Sequence, residues 1–224
     1  MFKKLLIIIP FALSIGVMQA MAFSTPSASS SSHKQEVKTI LAQHEISLAN
    51  RYAVPSVNTV FKDNILLNLA YLSGDVKNPS QINWDTLHKK SSYEFVLQPG
   101  EVFAYHDDIL PAYRGKVVRT TNAHFNQEEG FKTDGLYYGD GVCHFASLIT
   151  WVAKDAGLNT IAHTNHNFAR IPEIPMQFGT SIYANPGEST NDQMQNLYVE
   201  NNLKQPVKFV FTYENDILKL TIEK

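Results

Sequence analysis

Two hydrophobic periods alternate along the chain. Val37, Ile40, Leu41 and Leu48 recur at helical spacing, which predicts a helix over 33–52, closed by Val54-Pro55. Val60, Phe61, Ile65, Leu66, Leu69, Ala70 and Leu72 make a broad apolar face, so a second helix is expected over 57–72, stopped at Ser73-Gly74-Asp75. Residues 75–91 are polar, with Pro79, Trp84 and Leu87, and read as a connection or a short helix. At Tyr93 the period drops to two. Tyr93, Phe95 and Leu97 alternate with Glu94, Val96 and Gln98, a strand that turns at Pro99-Gly100 into a second extended run over 101–105.

Residues 106–135 are loop-rich, with a short strand at Val117-Val118; a loop of this length in a compact domain is commonly a substrate-facing feature. Helical spacing returns with Val142, Phe145, Ala146, Leu148, Ile149, Val152 and Ala153, giving a helix over 143–157 that ends at Gly157. Short strands follow at 158–163, 182–184 and 197–199. Two alternating runs, 207–213 and 217–222, are joined by a turn at Glu214-Asn215-Asp216. The expected fold class is α+β: N-terminal helices, and a central helix carrying the cysteine at its start, packed on a C-terminal antiparallel sheet. No internal repeat is visible.

Composition narrows the class. Of 224 residues 44% are hydrophobic and 18% charged, enough for a sizeable core. The formal charge of -2, with no basic run and no aromatic-basic interleaving, speaks against nucleic-acid binding. Residues 1–22 read as a secretory signal: Lys3 and Lys4, an apolar stretch from Leu5 to Met18, and the small-x-small site Ala20-Met21-Ala22. The mature chain would begin at Phe23, exported to the periplasm or cell exterior, without a stable membrane anchor. Residues 23–32 are a Ser-rich linker. The organisation expected is therefore signal 1–22, linker 23–32, helical region 33–92 and an α+β domain over 93–224.

The chain has a single cysteine, Cys143, so no internal disulfide can form. Gly139 and Gly141 precede it and a helix follows. Helix N-termini carry about half a unit of positive charge, which favours a thiolate there. His166, just beyond a strand, is the candidate base, with Asn165 or Asn167 to orient its ring. The N–H of Cys143, helped by His144, would form an oxyanion hole, worth about 3 kcal/mol per donor. Gly139, Gly141 and Tyr138 would border the substrate's approach, and Tyr105, Tyr113, Phe125, Phe131 and Tyr137 could floor a groove. Other roles compete. A lone cysteine can be buried and inert, His144 points about 100° from Cys143 on a helix and suits core or surface equally, and His163 suits a structural role. Asp140 could cap the helix or, if close, oppose the thiolate, and Asp107-Asp108 suits a solvated turn. Cys143, His144, His163 and His166 show no recognised zinc spacing, so no metal or cofactor is expected.

Asn64-Ile65, Pro99-Gly100-Glu101-Val102-Phe103, Gly139-Asp140-Gly141-Val142-Cys143, Asn165-His166-Asn167 and the ending from Asn196 through Asn201-Asn202 to Pro206-Val207 occur in one order. In that order the chain, over about residues 60–213, resembles the VanW-like family of exported bacterial cell-wall proteins. The resemblance implies L,D-transpeptidase-type chemistry on peptidoglycan stem peptides, with Cys143 as nucleophile and His166 as its partner. The family usually has Gly at Asp140, Gln at His144, Ser at Asn167 and Asp at Asn196, and a Gly-x-Asp-Ala segment where this chain has Gly179-Thr180-Ser181. Those departures motivate the rival reading, a wall-binding or scaffold protein that keeps the fold without the chemistry.

Overall fold

The computed structural model describes residues 38–89, 92–135, 139–185 and 189–224. The expected signal, the Ser-rich linker, Tyr137 and Tyr138 lie outside them. Twelve regular elements follow in order: β1 (Ile40–Ser47), α1 (Pro55–Ser73), α2 (Trp84–Leu87), β2 (Ser92–Leu97), β3 (Val102–Ala104), β4 (Val117–Arg119), α3 (Val142–Asp155), β5 (Asn159–Ala162), α4 (Ser189–Met194), β6 (Leu197–Glu200), β7 (Val207–Glu214) and β8 (Ile217–Glu223). The fold is α+β, with N-terminal helices α1 and α2 and the central helix α3 packed against sheet.

The helix expected over 33–52 is corrected in its described part. Residues 40–47 form β1, antiparallel to β8 from Ile40 opposite Glu223 to Ser47 opposite Ile217. Apolar residues at 40, 41 and 48 fit helical spacing, but the unpaired edge of β8 supplies a ladder that outweighs a weak local preference. Side chains also tie β1 to α3: His44 stacks on Trp151 with ring centroids 3.6 Å apart, and its Nε2 lies 2.7 Å from Asp155.

The single C-terminal sheet is likewise corrected to two four-stranded sheets. The first runs β1-β8-β7-β2 and is antiparallel throughout. Its β7–β8 hairpin turns through Asn215 and Asp216, both with left-handed φ, as a two-residue loop joining right-twisted strands requires. The second runs β4-β3-β6-β5, with β3 parallel to β4 and antiparallel to β6. Residues 182–184, expected as a strand, are outside both sheets.

Phe95 of β2 joins the layers, lying 4.6 Å from Phe209 and 5.5 Å from Phe103 across to the second sheet. Helix α3 packs on β1 and β8 of one sheet and on β5 and β6 of the other. Its apolar stripe of Phe145, Leu148, Ile149 and Val152 is fully buried, and Phe145 lies 5.5 Å from Phe211.

Helix α1 starts with Pro55 in its first turn and is capped by Gly74 in the left-handed conformation. It is buried from Asp63 to Leu72, polar residues included. Among these, Asn64 fastens the chain in front of α3: its amide nitrogen donates to the carbonyls of Lys132 (3.0 Å) and Asp140 (2.8 Å), and its oxygen accepts the Lys132 N–H (2.8 Å). Replacing Asn64 by Ala orphans these groups. A stability loss of at least about 2 kcal/mol is expected, measurable by urea unfolding, because each buried unpaired group costs about 1–3 kcal/mol.

Candidate functional site at the start of helix α3

The turn before α3 depends on Gly141, the N-cap residue, at φ 99°. A Cβ there would lie 2.8 Å from the Phe61 carbonyl oxygen of α1, so this glycine serves the close approach of two backbones. Cys143 is the second residue of α3. A partly enclosed cavity of about 520 Å³ opens in front of it. Its walls bring together Cys143, His144, His166, Gly139 and Gly141 from the residues singled out in the sequence.

Asn165 and Asn167 take no part in this cavity lining; both are exposed, and the Asn165 amide donates to the Met176 carbonyl at 3.4 Å. The His166 ring is held instead by the Ala169 carbonyl, which accepts from Nδ1 at 3.2 Å. That bond leaves the lone pair on Nε2, the nitrogen able to accept a proton. Burial lowers the His166 pKa, so the ring is neutral at neutral pH.

His144 is buried, 4.9 Å from the Phe61 ring and edge-on to His166 at 6.1 Å. Burial, then the nearby Arg51 charge and His166, push its pKa down to about 3. It stands in the site as a neutral ring whose buried Nδ1 has no hydrogen-bond partner among the described residues. Arg51 itself is buried and ion-paired with Glu173, and its Nε donates to the Ser47 carbonyl at 2.6 Å.

The thiol departs most from the sequence expectation. Burial pushes Cys143 up to about 11, outweighing the Ile182 N–H that pulls it down, and Asp140 raises it further. The favourable field of the helix start does not overcome loss of water around sulfur. The sulfur accepts the Ile182 N–H at 3.4 Å, and its S–H reaches the Ile182 carbonyl at 3.7 Å. Among the described residues these are its hydrogen bonds, and none runs to His166. Asp140 borders the cavity without capping α3; its carboxylate accepts the Asp134 N–H at 3.1 Å.

The aromatic floor is also redistributed. Phe125 lines the cavity, whereas Tyr105, Tyr113 and Phe131 are buried in the interior. Phe61, Phe168 and Ile182 line it without having been singled out. Phe61 and Ile182 carry ordinary core patterns, and nothing in the sequence separates Phe168, 75% exposed, from a loop residue. The long loop contributes His124, Phe125 and Asn126 to the cavity wall. His124 is held by two carboxylates, Asp107 at 3.2 Å and Glu129 at 3.0 Å. Its pKa is raised although burial opposes charge, because these acids favour the imidazolium.

His163 is exposed rather than structural. No three of Cys143, His144, His163 and His166 bring ligand atoms together. His106, Asp107 and Asp108 do, within 4.8 Å, but His106 Nδ1 already accepts the Asp108 N–H (3.3 Å) and its Nε2 donates to the Gln195 carbonyl (3.2 Å). The cluster is a hydrogen-bonded turn.

A thiol near 11 is almost wholly protonated at pH 7. Alkylation of Cys143 by iodoacetamide at pH 7 is therefore expected to run roughly a hundredfold slower than for an unperturbed cysteine, rising about tenfold per pH unit. Asp140→Asn removes a negative charge and should speed it. A fast, pH-independent reaction near pH 6 would contradict this electrostatic picture.

Among the described residues no helix is long and apolar enough to cross a membrane. Comparison with curated proteins and with solved structures found no match. One protein-family model, described as VanW like protein, matches residues 86–223, from within α2 to the end of β8, a range that holds the whole of α3 and the cavity-lining residues other than Phe61. The chain belongs to the VanW-like family.

Proposed function

We propose that the protein is exported and acts at the bacterial cell wall as a cysteine-dependent acyl-transfer enzyme on peptidoglycan stem peptides. The observation that carries this reading is the shared cavity, in which Cys143 and His166 face the same space at the start of α3 in a VanW-like chain. Both groups are neutral at rest, so the thiolate forms on attack rather than beforehand. His166 Nε2 takes the proton as sulfur bonds to the peptide carbonyl carbon. The N–H of Cys143, at the helix start, would receive the developing oxyanion. The amide C–N bond then breaks, and His166 returns the proton to the leaving amine. A second amine attacking the thioester gives a cross-link; water gives hydrolysis. Gly139 and Tyr138 would border the peptide's approach, and His144, uncharged, would contribute polarity without competing for the proton.

A second reading, a wall-binding protein without turnover, is favoured by the protonated thiol and its attachment to Ile182 rather than to His166. Purified wild type, Cys143→Ala and His166→Ala, incubated with peptidoglycan fragments, separate the two. Acyl transfer predicts that muropeptide profiles change with wild type only, Cys143→Ala being inactive and His166→Ala slower by about 10²–10⁴-fold. Identical profiles for wild type and Cys143→Ala, with equal retention on insoluble wall, would leave binding as the function.

A further inference from the structure

Residues 179–182 contact both Cys143 and His166. At Gly179 a Cβ would lie 2.9 Å from the His166 carbonyl oxygen, so backbone meets backbone at the histidine. The Ser181 N–H donates to the Thr164 carbonyl at 2.9 Å. One residue on, Ile182 presents its N–H to the cysteine sulfur. The segment belongs to neither sheet, so its buried polar groups must find other partners.

For Thr180 those partners come from α3. The Thr180 N–H donates to Ser147 Oγ at 2.8 Å, and Ser147 Oγ donates to the Cys143 carbonyl at 2.6 Å. One hydroxyl thus gives its proton to the nucleophile's own residue and accepts from the segment two positions before Ile182. The Thr150 and Thr180 hydroxyls bond each other at 2.6 Å, one turn further along α3. Ser147, Thr150 and Thr180 are all fully or almost fully buried.

We propose that Ser147 and Thr180 are positioning residues for Cys143, holding the Ile182 N–H on its sulfur as the donor that stabilises the thiolate formed on attack, and fixing Cys143 against His166. The assignment rests on the reading of Cys143 as nucleophile. As the proton leaves sulfur for His166 Nε2, the S–H contact to the Ile182 carbonyl disappears while the Ile182 N–H stays as donor. A sulfur that gains negative charge strengthens that bond at the moment it is needed.

The test reads Cys143 directly. Because the chain has one cysteine, its S–H stretching band and its alkylation both report on Cys143 alone. In Ser147→Ala, with folding checked by thermal melting, the band should move toward a free thiol and iodoacetamide alkylation should slow about tenfold at every pH between 7 and 9, the equivalent of one unit of thiol pKa. Thr180→Val, which keeps Ser147, should move both readouts the same way by a smaller factor, and it carries the test if Ser147→Ala does not fold. A folded variant with wild-type band and rate overturns the proposal. Faster alkylation also overturns it, since the segment would then shield the sulfur rather than assist it. These readouts are independent of muropeptide turnover. An inactive wild type with slowed Ser147→Ala alkylation would remove acyl transfer and keep the positioning; an active wild type with an unaffected variant would do the reverse.

Discussion

Helix α1 comes so close to the turn in front of α3 that the Phe61 carbonyl and Gly141 meet with no side chain between them. This approach sets the position of the cavity. Asn64, one helical turn beyond Phe61, holds the Lys132 and Asp140 backbone, so the two sides of the turn are fastened to one buried amide. Cys143 then starts its helix at a fixed place, with α1 behind it and the 179–182 segment across its sulfur. A side chain at 141 would separate the helices, and the geometry around the thiol would go with them.

The same closeness determines the electrostatics. A helix start favours anions, but only by an amount comparable to a surface ion pair, whereas removing water from a thiolate costs more. Around Cys143 desolvation wins, and Asp140 adds to it. His144 and His166 respond to burial in the opposite direction and stay uncharged. The cavity therefore joins a neutral thiol to neutral imidazoles. Among the described residues, the carboxyl and imidazole groups on its wall besides these are Asp140 and His124, the latter held by Asp107 and Glu129.

Much of the architecture was legible along the chain because the local patterns were long or strongly periodic. Helices α1 and α3, strands β2, β5, β7 and β8 and the Asn215-Asp216 turn stand where alternation and helical spacing place them. The misses have a common cause. Val37, Ile40, Leu41 and Leu48 fit helical spacing, yet 40–47 form β1, whose partner lies at the far end of the chain. Residues 182–184 have the composition of a strand, yet the Ile182 N–H is taken by Cys143 of α3 and the Tyr183 N–H by the Gln195 carbonyl. Partition of the strands into two sheets is likewise non-local.

For the site, the sequence by itself determined the candidate groups: one cysteine at a glycine-led helix start, a histidine beyond the next strand, and an ordered set of motifs that placed the chain in its family. Only the tertiary structure decided that both groups face one cavity, that Ala169 rather than an asparagine orients His166, and that the thiol rests protonated against Ile182. The physical reason is that residue identity states which charges a side chain can carry. Which charge it does carry depends on the water removed from it and the donors aimed at it, and those are supplied by segments distant in sequence.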